Sequence, residues 1–475
     1  MENYSGTLHP ANADTDMTAR RDKFKPVLGI ATLLAVAVGT VVGQGPIVSV
    51  LQGIGLGGTG FLVVLLISFG IAICNAITFA ELSLMFPRAG GLSTYTEVAI
   101  GHFPAMVATF SGYVVVAMFG LSAEMLLVGS IISDLFPSML SPIAIGVAVV
   151  AFFTVMNILG TDIFARIQNV LAFAMIASLL FIGLAAYTKS GAPLPAGHVP
   201  FADWGPVTGN LLGLITLGIW AFVGLEFVCP LIEEAKNPRR DIPRSMFLGA
   251  VVIGVVYLIF ALGAGTYLSR EQLASSGLPH LDYVIAVFGD QAKFLVVVIA
   301  LTASGSTVNT VLASVARMIY GMAHNGQAFP AFKQLHPRYR TPWIAILFMG
   351  VVTAAPLLVM GGNPDALITL LIAAAASWLL AYIIAHIDVI VLRRRMPEAN
   401  RPFRTPLYPL PQILGIAAMT YAIFNNSPSP EMTQTVYLLT GVVIGIVSVG
   451  SALWVRLVMK RGLFQTETVQ HALQD

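Results

Sequence analysis

Two carboxylates stand where water is scarce. Glu124, in FGLSAEMLLVG (119–129), and Glu226, in GIWAFVGLEF (218–227), each lie inside a long apolar run. An ionised side chain at the centre of a bilayer costs about 3 kcal/mol on insertion scales, so such a group faces a cavity, carries a proton or finds a partner. The chemistry open to these two is therefore proton carriage and contact with a cation. Glu226 reads as a site or coupling residue, with a packed hydrogen-bonding residue as the alternative; Glu124 fits both descriptions. Chain-breaking residues accompany the acids. GTVVGQGP (39–46) puts Gly39, Gly43, Gly45 and Pro46 near the middle of the first apolar run, and Gly224 interrupts the sixth two residues before Glu226. Glycine weakens a helix by up to about 1 kcal/mol against alanine, and proline lacks a donor. Each run is expected to split into two half-helices. Unpaired backbone groups at that depth persist only where they line a cavity or bind something. The alternative is that the glycines merely allow close helix packing. Two interruptions five spans apart mark the pattern in which an inverted repeat builds a central binding site.

The elements that must position these groups follow from composition. The 475 residues are 57% hydrophobic and 10% charged, with a formal net charge of +2, whereas about a quarter of an average soluble chain is charged. Apolar runs long enough to cross a bilayer recur from Val27 to Met459. They predict spans near 27–52, 59–86, 104–134, 141–159, 165–187, 208–232, 245–268, 291–322, 342–360, 366–392, 410–425 and 434–459. With that map only Lys189, Arg270 and Lys293 fall on one side, and the rest of the 25 Lys and Arg fall on the side of the N-terminus. The positive-inside rule makes that side, and both termini, cytoplasmic. The first apolar run follows Arg20, Arg21, Lys23 and Lys25 but is too long for a signal peptide and is expected to stay attached. The segment 188–207 reads as an irregular outer loop with Trp204 at the interface. The stretch from Ala89 to Gly101 reads as a surface segment on the inner side, with Tyr95 facing lipid headgroups. Glu81, Arg88, Glu233, Glu234 and Arg240 fall at cytoplasmic ends, in positions suited to gating or anchoring.

Other chemistries find little support. Cys74 and Cys229 lie in apolar runs as packing residues, and His102, His324, His336 and His386 show no ligand spacing, so no metal site and no cofactor are expected. No GxxxxGK[ST] loop cradles a nucleotide, which disfavours a primary pump, and neither HExxH nor GxSxG supports an intramembrane enzyme. An ion or solute channel remains a different class that broken helices and buried acids also fit.

Four further stretches carry a family resemblance: AELSLMFPRAGGLSTY (80–95), EEAKNPRRDIPRSM (233–246), ARMIYGMAHNGQAFPAF (316–332) and LRRRMPEANRPFRTPLYP (392–409). In order and in the residues beside the breaks, the chain resembles the amino acid–polyamine–organocation superfamily. The resemblance implies an all-α membrane protein of twelve transmembrane helices with the leucine-transporter fold. In that fold five helices repeat inverted, helices one and six are broken, and helices eleven and twelve are peripheral. The expected division is a cytoplasmic tail over 1–26, a transport core over 27–392 with repeats at about 27–187 and 208–392, a loop and two helices over 393–459, and a cytoplasmic tail over 460–475. The resemblance also implies a substrate site: Gly43, Gln44 and Gly45 at the substrate carboxylate, where a helix N-terminus favours an anion, and Trp220, Phe222, Val223 and Gly224 beside the substrate. Trp220 resembles an aromatic of members that exchange basic amino acids and polyamines, whereas Gln44 and Pro46 depart from the usual pattern. The lysine that proton-dependent relatives carry on helix five is absent, with Met175 near its place; Ser304, Ser306 and Thr307 are hydroxyls of the type that hold sodium in related folds, and equally of the type that bond to the preceding helical turn. The expected function is secondary transport of an amino acid or related amine across a plasma membrane, bacterial inner membrane by its short loops, by proton coupling or exchange, with a polyamine or basic amino acid antiporter as the alternative. The expected partners are the substrate, a proton in preference to sodium, and the bilayer, with no nucleic acid.

Overall fold

The structure, a computed structural model, describes residues 24–136, 140–194, 199, 201–205, 211–289, 292–360, 363–426 and 430–473. The tail before Phe24, with Arg20, Arg21 and Lys23, and part of the outer loop lie outside these residues. Among the described residues the architecture is helical without strands, with an isolated bridge between Leu28 and Ala235. In chain order the helices are α1 (Ile30–Val41), α2 (Gln44–Gly57), α3 (Phe61–Met85), α4 (Leu92–Ala99), α5 (His102–Thr109), α6 (Val116–Leu135), α7 (Pro142–Ile158), α8 (Thr161–Tyr187), α9 (Ile215–Trp220), α10 (Pro238–Tyr267), α11 (Arg270–Ser275), α12 (Pro279–Phe288), α13 (Lys293–His324), α14 (Trp343–Val359), α15 (Pro364–Arg395), α16 (Leu410–Phe424), α17 (Pro430–Leu453) and α18 (Val469–Leu473).

Eight helical stretches in the described residues are long and apolar enough to cross a membrane, and α1 with α2 adds a ninth as a pair bent by 59°. The shorter apolar helices α7, α14 and α16 occupy three more of the segments read from the sequence. Within the third crossing a π-helical turn, Phe110–Val115, joins α5 to α6. Small residues let the long helices meet. A Cβ on Gly263 of α10 would come within 2.6 Å of Gly183 O on α8, the close backbone approach by which membrane helices associate without a hydrophobic driving force.

Residues 89–101 differ from the expectation of a surface segment. Every residue of α4 is buried, and Tyr95 is fully buried with its ring against Phe86 at 6.2 Å rather than facing headgroups. Polar ties draw the segment inward. Thr96 donates to Asp388 Oδ2 at 2.6 Å, and Glu97 accepts from Gln327 Nε2 at 2.5 Å and from Asn325 Nδ2. Water-poor burial of such groups is stable only when each finds a partner, which a sequence reading by hydropathy does not foresee.

The face bearing most Arg and Lys is closed. Arg317 of α13 and Glu234 are both 1% exposed and form a bidentate pair, with Arg317 Nη2 donating to Glu234 Oε1 at 2.7 Å and Nε donating to Oε2. Thr161, at the start of α8, donates to the same carboxylate at 2.6 Å. Leu28 N donates to Glu234 O and Lys236 N to Leu28 O, each at 2.8 Å, so the segment entering α1 is tied into this lock. Phe24 covers it, with its ring 5.8 Å from the Arg317 guanidinium and 5.0 Å from Tyr320. On the same face Glu81 of α3 accepts from Arg393 at 2.7 and 2.8 Å and from Thr405 N at 2.7 Å, anchoring the segment after α15.

Candidate functional site

The first break falls at Val42 and Gly43, three to four residues before Pro46. Pro46 is the third residue of α2, inside the first turn, where an N–H has no intrahelical acceptor and its loss costs nothing. The chain instead turns at Val42 and Gly43, with Gly43 extended (φ −93°, ψ 178°) as the N-cap of α2 and offering no side chain to cap it. The second break lies between α9 and a 3₁₀ helix, Leu225–Glu234, which tolerates Pro230. Gly224 has φ +121°, in the left-handed half of backbone space, and a Cβ there would lie 3.2 Å from Thr40 and 3.4 Å from Val41. Glycine at 224 thus allows the two breaks to touch.

Glu124 of α6 fills the gap at the first break. Its Oε2 accepts from Gln44 N at 3.3 Å and from Ser304 Oγ at 2.6 Å, and its Oε1 accepts from Gly45 N at 3.1 Å. Gln44 itself is fully buried, and its Nε2 donates to Ser304 Oγ at 2.9 Å. The remaining hydroxyls on α13 are also engaged. Ser306 Oγ accepts from Gln168 Nε2 at 2.8 Å, and Thr307 Oγ1 donates to Gly39 O at 3.1 Å with Ala303 O at 3.2 Å. Gln168 Nε2 also reaches Ala35 O at 3.0 Å, and Asn309 links Gln168 to Asn157 at 2.9 and 2.8 Å. Met175, on the same helix, is a fully buried packing residue.

Glu226 is 2% exposed beside the second break, and two aromatic donors from α15 hold it. Tyr382 OH donates to Oε2 at 2.5 Å and accepts from Gly224 N at 3.0 Å, while Trp378 Nε1 donates to Oε1 at 3.1 Å. Trp378 and Tyr382 are four residues apart and so share one helix face. Trp220 closes the group, its ring 5.9 Å from that of Trp378. Of the other residues singled out, Phe222 turns its ring to Phe69 at 6.0 Å and towards Gly254, and Val223 is buried.

Three partners of this site were not identified from the sequence. Trp378 and Tyr382 look like ordinary apolar filling until their spacing is set against an acid on another span, and Gln168 is one amide in a long helix. Their signal is a donor in an otherwise apolar run. Asp388, fully buried in α15, likewise escaped notice as an acid near a helix end.

Comparison with known proteins settles the family. The model of the amino acid permease family matches residues 28–449, most of the chain. The chain belongs to the amino acid permease family. This permease is similar to the serine/threonine exchanger SteT of Bacillus subtilis, 26% identical over 428 residues, covering 88% of this chain and 94% of the relative. It is also similar to the branched-chain amino acid permease BcaP of the same organism, 25% identical over 453 residues (90% and 94%). The mouse b(0,+)-type amino acid transporter 1 is 24% identical over 437 residues (88% and 86%). Family and relatives are transporters and not enzymes, and the resemblance to the amino acid–polyamine–organocation superfamily stands.

Proposed function

We propose that this permease is a secondary active transporter that carries an amino acid or related amine across the plasma membrane by alternating access, coupled to a proton on Glu226 or by exchange. The observation that carries the reading is the placement of Glu226. It stands two residues past Gly224, which touches α1, and both its oxygens are held from α15. A change of charge on this one group therefore reaches both halves of the molecule. The ionised carboxylate accepts from Tyr382 and Trp378; a proton on it occupies one of those acceptor positions and loosens the grip of α15 on the break.

Access from one side at a time is supported by exposure. Arg317 and Glu234 seal the basic face, whereas Gly45 is exposed and Pro46, Glu124, Trp220 and Trp378 are half-buried around the breaks. The site thus opens away from the basic face, which the positive-inside rule assigns to the cytoplasm together with both termini. Sodium coupling is the weaker reading, because Ser304, Ser306 and Thr307 already bond to Glu124, Gln168 and the carbonyls of Gly39 and Ala303.

Glu226→Gln tests the coupling. The neutral variant cannot release a proton, so uptake driven by a pH gradient into proteoliposomes is expected to collapse while exchange of substrate for substrate persists and loses most of its pH dependence. Gradient-driven uptake at the wild-type rate would reject the role.

A further inference from the structure

A substrate carboxylate at the first break needs free N–H donors, and they can be counted. The first turn of a helix leaves its leading N–H groups unpaired. In α2 these are Gln44 N and Gly45 N, which both donate to Glu124, and position 46, which is proline and has no N–H. Ile47 N is already directed at Gly43 O at 3.3 Å, and Gly43 N at Val41 O at 3.0 Å. No donor is left in the turn. The side-chain amide of Gln44 donates to Ser304. Acceptors dominate what remains: the buried Gln44 Oε1, which has no hydrogen-bond partner, and the carboxylates of Glu124 and Glu226, with the buried phenols of Tyr257 and Tyr113 near those two acids as donors. The indoles of Trp220 and Trp378 pack against each other beside Glu226, and indole rings attract cations.

We infer that Glu124 is a built-in substitute for the carboxylate that an amino acid would bring, and that the molecule carried is an organic amine without a carboxyl group. The inference rests on the transport reading above and sharpens its substrate class. An α-amino acid entering this site meets a carboxylate already seated where its own would go. Two like charges at that separation repel, and one must leave or take up a proton. An amine meets the carboxylates and the Gln44 carbonyl, acceptors that match the donors of an ammonium group. Pro46 and Gln44 fit the same account. Proline removes the third donor of the turn, and the Ser304 hydroxyl, which accepts from Gln44, gives its one proton to Glu124 and leaves none for a second anion.

Matched pairs test the inference: putrescine against ornithine, cadaverine against lysine, agmatine against arginine and ethanolamine against serine. Each is measured for thermal stabilisation of the purified protein and for counter-transport in proteoliposomes. The expected result is that at least one amine half-saturates at a concentration lower than its parent amino acid by about tenfold or more. Glu124→Ser, which frees Gln44 N and Gly45 N, is expected to narrow or reverse that ratio. Should that variant misfold, Pro46→Ala restores a donor without touching Glu124 and is expected to move the ratio in the same direction. An amino acid that binds better than its amine overturns the inference, and if it is also counter-transported the transport reading survives. Amines that bind without saturable transport overturn the transport reading while the inference about the site stands. Binding of no member of either series overturns the inference.

Discussion

Removing Arg317 puts the lock on the basic face to a quantitative test. Arg317→Ala leaves the Glu234 carboxylate 1% exposed with only Thr161 as a side-chain donor. Breaking a buried pair by deleting one partner costs about 3–5 kcal/mol. Because the lock joins the segments before α1 and after the second break to α8 and α13, the cost falls on the closed state of this face and not on the state in which the segments part. At about 1.4 kcal/mol per factor of ten, the closed-to-open ratio then shifts by roughly two to four orders of magnitude. Ser314 supplies a reporter. It is fully buried on α13 one turn before Arg317, with its hydroxyl donating to Phe227 O at 2.7 Å. With Cys74 and Cys229 replaced by alanine and Ser314→Cys as the sole thiol, Arg317→Ala is expected to raise the rate of modification by a small aqueous reagent by at least about tenfold. Arg317→Met with Glu234→Leu, which removes both charges, is expected to restore much of the protection. If the single variant loses thermal stability by the full amount and the thiol stays as protected as before, the pair is a fold staple and not a gate.

Three further outcomes are expected. Gly45→Leu fills the space in front of Glu124, where a Cβ already stands 3.7 Å from Oε1, and should abolish substrate binding while expression and insertion stay near wild type; normal affinity would sink that assignment. A cysteine replacing Arg239, in the basic first turn of α10, should react with an impermeant reagent only from the cytoplasm, and labelling of intact cells from outside would overturn the topology. His280 of α12 is buried with neither ring nitrogen bonded, and burial holds it down at about 4 from an ordinary 6.5. The folded state stays neutral where the unfolded chain takes a proton, so stability is full above pH 6.5 and falls by on the order of 3 kcal/mol as pH drops to about 4. Melting temperatures of His280→Leu should lack that component, and parallel pH profiles for variant and wild type would refute it.

How much of this could be read from residues alone differs by feature. Apolar runs reported the helices, because hydropathy is a local property of a chain that must live in lipid. GTVVGQGP and Gly224 announced the breaks for the same reason, since backbone preference is written residue by residue. Partners were illegible. Nothing local tells Glu124 that it will meet the N–H groups of Gln44 and Gly45, about eighty positions away, or that Tyr382 and Trp378 will hold Glu226. Tyr95 shows the same limit from the other side: a polar-looking loop was drawn inward by Thr96 and Glu97, whose partners lie on α15 and just after α13.

The central claim, transport by alternating access and not flow through a pore, is tested most directly by counter-transport. Proteoliposomes preloaded with an unlabelled amine or amino acid that stabilises the protein are given a trace of the labelled compound outside. The account predicts uptake that saturates with concentration, is accelerated by substrate inside and rises transiently above equilibrium. Flux that grows linearly with concentration and ignores the substrate on the far side would contradict it and point to a channel.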